Sequence, residues 1–123
     1  MRYSPTLVDH FLNPRNAGLM RDPDATGEGH FEGCGDLARV FLRVREGRVA
    51  EARFQAYGCG PVIAAASAAS ELATLRPVDD LVHLKPEEVE RALDGLPDDR
   101  RHAAEVVTDA IVSAARDWLS RRS

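Results

Sequence analysis

The segment CGDLARVFLRVREGRVAEARFQAYGCG, residues 34–60, decides the fold of this chain. In each half of it, apolar residues alternate with charged or other residues, which is typical of β-strands with one buried face. One face of the first strand carries Val40, Leu42 and Val44, and one face of the second carries Ala50, Ala52, Phe54 and Ala56. The turn is predicted at Glu46-Gly47-Arg48, so the two strands should pair as an antiparallel hairpin.

The N-terminal segment before the hairpin is predicted to begin with a short helix. Ser4 is a suitable N-cap, Pro5 suits the first helical position, and Asn13-Pro14 should end the helix. Residues 15–33 are rich in Gly, Asp and Asn and show no sustained periodicity, so we expect a long loop with a short strand near its end, at His30 and Phe31. The apolar stripe of the helix is predicted to be Leu7, Val8, Phe11 and Leu12.

Helices are predicted to follow the hairpin, with approximate bounds at residues 62–75, 85–95 and 98–118. The first is rich in Ala and Ser, whose small side chains permit close packing against a neighbour. The last should face the core with Val107, Ala110, Ile111, Ala114, Trp118 and Leu119. A helix, then strands, then helices predict an α+β fold with an antiparallel sheet.

Length and composition predict one globular domain, because 123 residues with 44% hydrophobic and 29% charged residues lie near globular averages. The 16 basic and 20 acidic residues give a net charge of −4, which argues against a nucleic-acid-binding domain. No stretch approaches the roughly 18 continuous apolar residues that indicate a membrane span. The start lacks an apolar signal-peptide core, so we expect a cytoplasmic protein with no membrane association.

Two cysteines flank the predicted hairpin, and each has glycine on both sides: Cys34 precedes the first strand and Cys59 follows the second. Because a tight turn brings the outer ends of two strands together, both thiols should emerge at one end of the sheet. Asp36 should point to roughly the same side, and His102 near the start of the last helix is the best candidate for a fourth group. Soft thiolates with a carboxylate and an imidazole can form a metal site.

Other interpretations of these residues stay open. Each cysteine can be a small buried apolar residue, Asp36 can stabilise a turn, and His102 can be a surface residue. A thiol enzyme with Cys34 or Cys59 as nucleophile and His102 as base is a further hypothesis. Because the sequence shows no secretory signal, we do not expect a disulfide between the two cysteines. The other histidines are expected to be structural or solvated: His10, His30 and His83.

The chain resembles the IscU/NifU N-terminal family of iron–sulfur cluster assembly scaffolds. The residues that carry the resemblance are 3–5, 9–18, 33–36, 52–60 and 109–111, together with the Ala/Ser-rich helix. The most specific of them read Asn-Pro-Arg-Asn at 13–16 and Tyr-Gly-Cys-Gly at 57–60. The resemblance implies a SufE/NifU-like fold over residues 1–123: a small α+β domain with a three-stranded antiparallel meander packed against helices.

The resemblance also implies a function. Such a scaffold binds a [2Fe–2S] cluster or iron, receives sulfur from a cysteine desulfurase, uses iron and electron donors, and passes the cluster to recipient apo-proteins without turnover of its own. The ligands that match the family are Cys34, Asp36, Cys59 and His102. The same four donors suit Zn²⁺, which we expect in the isolated protein. We expect a monomer or a weak dimer.

Two departures from the family pattern affect that expectation. Ala103 stands where the family has its third cysteine, so only two thiols remain for a cluster. Residues 96–100 read Leu-Pro-Asp-Asp-Arg where the family has Leu-Pro-Pro-Val-Lys, which argues against recognition by the family's dedicated chaperone. The alternative hypothesis is therefore a diverged relative that binds a metal or the assembly partners and no longer builds clusters.

Overall fold

The computed structural model describes residues 2–33 and 35–122, so Cys34 lies outside the described residues. In chain order the elements are α1 (Pro5–Leu12), β1 (Ala25–Phe31), β2 (Asp36–Arg45), β3 (Arg48–Tyr57), α2 (Gly60–Ala73), α3 (Val78–Leu81), α4 (Pro86–Ala92) and α5 (His102–Arg122). The strands form an antiparallel sheet in the order β1-β2-β3. This is the expected α+β meander.

The predicted hairpin is present as β2 and β3, with a tighter turn than expected. Arg45 pairs with Arg48, so Arg48 belongs to the second strand and only Glu46 and Gly47 make the turn. Both turn residues have positive φ, 53° and 76°, which matches the twist that a two-residue hairpin needs.

The face assignment of β3 needs one correction, at Ala50. Arg43 pairs with Glu51 and the next residue, Val44, pairs with Val49, so Ala50 is an extra residue that forms a β-bulge. Val49 is therefore buried in place of Ala50, which is exposed. Beyond the bulge Ala52 and Phe54 are buried and Ala56 is partly buried, as predicted.

The largest correction concerns the predicted loop, of which residues 25–31 form the complete strand β1. Two glycines, Gly27 and Gly29, weaken the strand pattern in the sequence. They are nevertheless required, because a Cβ on Gly27 would overlap the backbone of Ala110 and one on Gly29 that of Val106. The glycines thus let α5 pack directly against the backbone of β1.

The predicted cap of α1 is confirmed, since the hydroxyl of Ser4 accepts a hydrogen bond from the Leu7 amide at 3.0 Å. Its predicted apolar stripe is only partly correct. Leu7 is buried, but Phe11 and Leu12 are 43% and 66% exposed. A buried His10 takes a core-facing position instead, held by a 2.7 Å contact between its Nδ1 atom and the Ser67 hydroxyl.

The helices after the sheet lie close to their predicted bounds, except at the start of α5. Asp98–Arg100 forms a separate 3-10 turn, and α5 begins only at His102 and continues to Arg122. The single-turn helix α3 was not predicted. Within the described part of the chain, no helix combines the length and hydropathy needed to cross a membrane.

Helices α2 and α5 cover the sheet and build the core. The α2 helix packs against β3, while α5 packs against β1 and β2. The Ala/Ser-rich sequence of α2 is almost entirely buried, as its small side chains predicted. On α5, Val107, Ala110, Ile111 and Ala114 are buried, and Trp118 and Leu119 pack at the margin of the core. The N-termini of α2 and α5 therefore meet at one end of the sheet.

Candidate metal centre

Three of the predicted ligands come together at that end of the sheet. Asp36 is the first residue of β2, Cys59 is the N-cap of α2, and His102 is the first residue of α5. The Sγ atom of Cys59, a carboxylate oxygen of Asp36 and a ring nitrogen of His102 all lie within 4.8 Å of one another. Asp36 and Cys59 therefore lie at one end of the sheet, as the predicted hairpin required. The fourth predicted ligand, Cys34, is outside the described residues.

Asp36 organises the other two side chains. It lies on the helix-covered face of β2, and only 1% of it is exposed. Its Oδ1 atom accepts a hydrogen bond from the Cys59 amide at 3.1 Å. Its Oδ2 atom lies 2.8 Å from Nε2 of His102, at hydrogen-bond distance. A buried carboxylate is costly unless its oxygens are satisfied, and these contacts supply that satisfaction.

The backbone at Gly58 makes this approach possible. Gly58 has a φ of +128°, in the region that side chains disfavour. A Cβ at this position would also overlap the Oδ1 atom of Asp36. The glycine before Cys59 is thus required both for the turn from β3 into α2 and for the space that the carboxylate fills.

The thiol of Cys59 is half-buried and free, 3.7 Å from the Oδ2 atom of Asp36. Burial raises its pKa above the ordinary cysteine value, and the neighbouring Asp36 carboxylate raises it further. The Val62 amide at the start of α2 and the Arg100 guanidinium lower the pKa of Cys59, but burial is the larger influence. Cys59 is therefore held as a thiol that donates toward Asp36, and a bound cation must displace its proton.

The His102 ring is also held by an aromatic neighbour, Phe31, at the end of β1. The two rings stack with their centroids 4.7 Å apart and an interplanar angle of 26°. In the sequence, Phe31 stands out only as part of a short predicted strand. Periodicity could not link the two residues, because they belong to elements that meet only in the tertiary structure.

Ala103, where the resemblance puts the third cysteine, is 0% exposed and belongs to the apolar core. The remaining histidines fall into two groups. His30 and His83 are exposed, as expected. His10 is a structural residue between α1 and α2, and its partner Ser67 also accepts the Arg15 amide at 2.8 Å.

The comparisons with known proteins agree with this architecture. The family profile described as the NifU-like N terminal domain matches residues 2–123. The iron–sulfur cluster assembly scaffold protein IscU of Azotobacter vinelandii is 36% identical over 126 residues, which cover 99% of this chain and 98% of that protein. The scaffold protein IscU 1 of Archaeoglobus fulgidus is 34% identical over 97% of this chain and 78% of its own length.

A solved structure has the same fold. The nitrogen-fixing NifU-like protein (N-terminal) from Brucella abortus superposes with a TM-score of 0.78, covering 98% of this chain and 96% of that chain. Its sequence is only 18% identical. This likeness therefore supports the fold, independently of the site.

Proposed function

Because this chain belongs to the family of NifU-like N-terminal domains, we propose that it is an iron–sulfur cluster scaffold or carrier. Its cargo is a [2Fe–2S] cluster or iron, with zinc as an occupant of the isolated protein. The observation that carries the proposal is the grouping of sulfur, oxygen and nitrogen donors from Cys59, Asp36 and His102 within 4.8 Å. Cys34, two residues before Asp36 in the sequence, is the proposed fourth ligand.

The donor set suits these cargoes. Thiolate ligands favour iron–sulfur clusters and zinc, and imidazole is a suitable ligand for both iron and zinc. A carboxylate is a harder ligand, so a cluster held by two thiolates, Asp36 and His102 should be more labile than one held by four thiolates. Lability is useful in a carrier, which must release its cargo to a recipient.

Protein groups must give up protons when the cargo binds. Burial and Asp36 raise the pKa of Cys59, so its thiol is protonated before loading. Cargo binding at the Cys59 sulfur replaces that proton, and loading is therefore favoured as pH rises.

Family membership also supports proposals about partners. A cysteine desulfurase would supply sulfur, and other proteins would supply iron and electrons. Recipient apo-proteins would then accept the cluster. The protein would act in the cytoplasm as a monomer or weak dimer, with residues 1–123 as one unit. Relatives named as scaffolds suggest a role without catalysis. The family's dedicated chaperone is not expected to bind. In the segment that it recognises in the family, the exposed Asp98 and Asp99 replace apolar residues here, and Asp99 pairs with Arg2.

Anaerobic loading tests the proposal. Purified protein is titrated with Co²⁺ or Zn²⁺, and separately reconstituted with iron and sulfide, in the wild type and in Cys34→Ser, Cys59→Ser and His102→Ala. We expect about one divalent metal per chain, thiolate-to-cobalt absorption, and loss of binding in each variant. His83→Ala, which removes an exposed histidine, is the matched control. Unchanged metal content in both cysteine variants would refute the site.

The same experiment separates the alternatives. Metal binding without cluster formation would indicate the diverged metal-binding relative. A thiol enzyme would instead require substrate turnover that is lost in the cysteine variants. The geometry favours a ligand role for Cys59, because its thiol faces Asp36 at 3.7 Å and burial raises the pKa of the thiol. An activated nucleophile needs the opposite, a lowered pKa or an adjacent base.

A further inference from the structure

Phe31 occupies an unusual place for an aromatic residue. It is the last residue of β1 and lies opposite Asp36 in the strand register. Its ring stacks on the ring of His102, with the centroids 4.7 Å apart. Yet 39% of Phe31 is exposed, so burial alone gives it only part of the stabilisation of a core phenylalanine.

The stack completes the support of His102. The contact with Asp36 at 2.8 Å fixes the position of the Nε2 atom. The ring can still rotate about this contact unless a neighbour packs against one of its faces. Phe31 covers one face, and the side chain of His102 is only 12% exposed. Restricting a ring in this way reduces the rotamer freedom that must be lost when a ligand binds.

The Phe31 ring has a second contact, with the segment that leads to Cys34. A Cβ on Gly33 would lie 3.0 Å from the Cε2 atom of Phe31, so the ring lies against the backbone there. Gly33 directly precedes Cys34 in the sequence. One side chain therefore contacts both the imidazole and the chain immediately before the first thiol.

We infer that Phe31 is a positioning residue of the metal centre. It holds the His102 ring in the plane that directs Nε2 toward Asp36 and Cys59. The ligand role of His102 rests on the proposed function, whereas the positioning of its ring does not. Residues that orient a metal-binding imidazole contribute to affinity without touching the metal.

Three substitutions of Phe31 distinguish the effect of ring stacking on His102 from the effect of side-chain size. Phe31→Tyr keeps the aromatic face, Phe31→Leu keeps an apolar side chain without it, and Phe31→Ala removes both. Leu19→Ala, at an apolar residue that is 67% exposed, is the control for loss of surface apolar area. The thermal midpoint of each variant confirms that it is folded.

The first readout is the NMR spectrum of the His102 ring in the metal-free protein. In the wild type and in Phe31→Tyr, we expect the aromatic ring current to change the chemical shifts of the His102 ring protons. This change should be lost in Phe31→Leu and Phe31→Ala. Ring-proton signals that are the same in all variants would overturn the inference. If Phe31→Ala fails to fold, Phe31→Leu decides.

The second readout is the dissociation constant for Co²⁺ or Zn²⁺. Without the stack the His102 side chain must be immobilised when the metal binds, so we expect roughly two- to tenfold weaker binding in Phe31→Leu and Phe31→Ala, with Phe31→Tyr close to the wild type. Equal affinity in Phe31→Leu, Phe31→Ala and the wild type would overturn the role at the metal centre. If the wild type binds no metal, the proposed function fails, while the NMR result still decides whether Phe31 positions His102.

Discussion

The Nε2 atom of His102 lies 2.8 Å from the Oδ2 atom of Asp36, although 66 residues separate them in the chain. The contact joins the first residue of α5 to the first residue of β2. Because the other oxygen of Asp36 accepts a hydrogen bond from the Cys59 amide, one buried carboxylate aligns both neighbouring residues that are proposed as ligands. The consequences for function and stability can be separated by substitution.

Asp36→Ala is expected to make a bound cluster longer-lived in air. A carboxylate oxygen is a weaker partner for iron than a thiolate and is easily displaced. Removing it also takes away one influence that raises the pKa of Cys59. The measurement is the decay of the visible absorption of the reconstituted cluster. Asp98→Ala, at an exposed position, is the control and should decay like the wild type. Equal or faster decay in Asp36→Ala would contradict a direct role.

The same variant should be less stable as an apo-protein. Loss of the carboxylate leaves the Cys59 amide and His102 Nε2 without their partner, which costs about 1–3 kcal/mol for buried groups. Urea unfolding of the metal-free protein gives this number. No change in the unfolding midpoint would mean that water replaces Asp36 at little cost.

Gly58→Ala is expected to destabilise the fold and to weaken metal binding together. The new Cβ would overlap Asp36 Oδ1, in addition to the cost of a positive φ. Gly95→Ala is the matched control, because Gly95 also has positive φ, at +103°, but nothing within 4 Å of a Cβ. We expect about 1 kcal/mol of destabilisation in Gly95→Ala and at least twice that in Gly58→Ala. Equal losses would show that the overlap is relieved easily.

Ala103→Cys tests whether the missing family thiol can be restored. The position is fully buried beside His102, so burial opposes the lowering of the thiol pKa expected at a helix N-terminus, as it does at Cys59. We expect a protonated thiol in the apo-protein, but a higher cluster yield after reconstitution with iron and sulfide.

Ala104→Cys is the control for this experiment, since Ala104 is equally buried and one residue further along α5. It should give the same fold cost without the gain in cluster yield. Gains of equal size in both variants would show that any additional thiol suffices. If Ala103→Cys folds and gains nothing, its side chain does not serve the metal centre.

His10 should make stability depend on pH. Its burial lowers its pKa, and Arg15 lowers it further against the opposing carboxylates of Glu71 and Asp9. A histidine in the unfolded chain has a pKa of about 6.5, so the unfolded chain binds the proton first as pH falls. The stability contributed by neutral His10 is present above that pH and is lost as pH drops toward the lowered folded value.

The test compares urea midpoints at about pH 7.5 and about pH 5.5, on either side of the unfolded histidine pKa. His10→Asn, which can keep a contact with Ser67, should show a smaller decline than the wild type. His83→Asn, at an exposed residue, should decline like the wild type. The same decline in all three proteins would exclude His10 as the cause.

The sequence by itself determined the elements that rest on local chemistry. Alternation specified β2 and β3, the Ser4 cap and Pro14 bounded α1, and the small residues of the Ala/Ser-rich segment anticipated a tightly packed α2. The glycine-flanked cysteines at the outer ends of a hairpin also indicated that a candidate site lies at one end of the sheet. These features depend on neighbouring residues, so a linear pattern can report them.

Only the tertiary structure decided the features that join distant segments. The strand β1 forms although Gly27 and Gly29 disfavour it, because their missing side chains admit the backbone of α5. The bulge at Ala50 shifts a face by one residue, which alternation cannot show. The Asp36–His102 contact and the Phe31–His102 stack depend on how α5 lies across the sheet. Packing of whole elements sets such distances, and no local pattern encodes them.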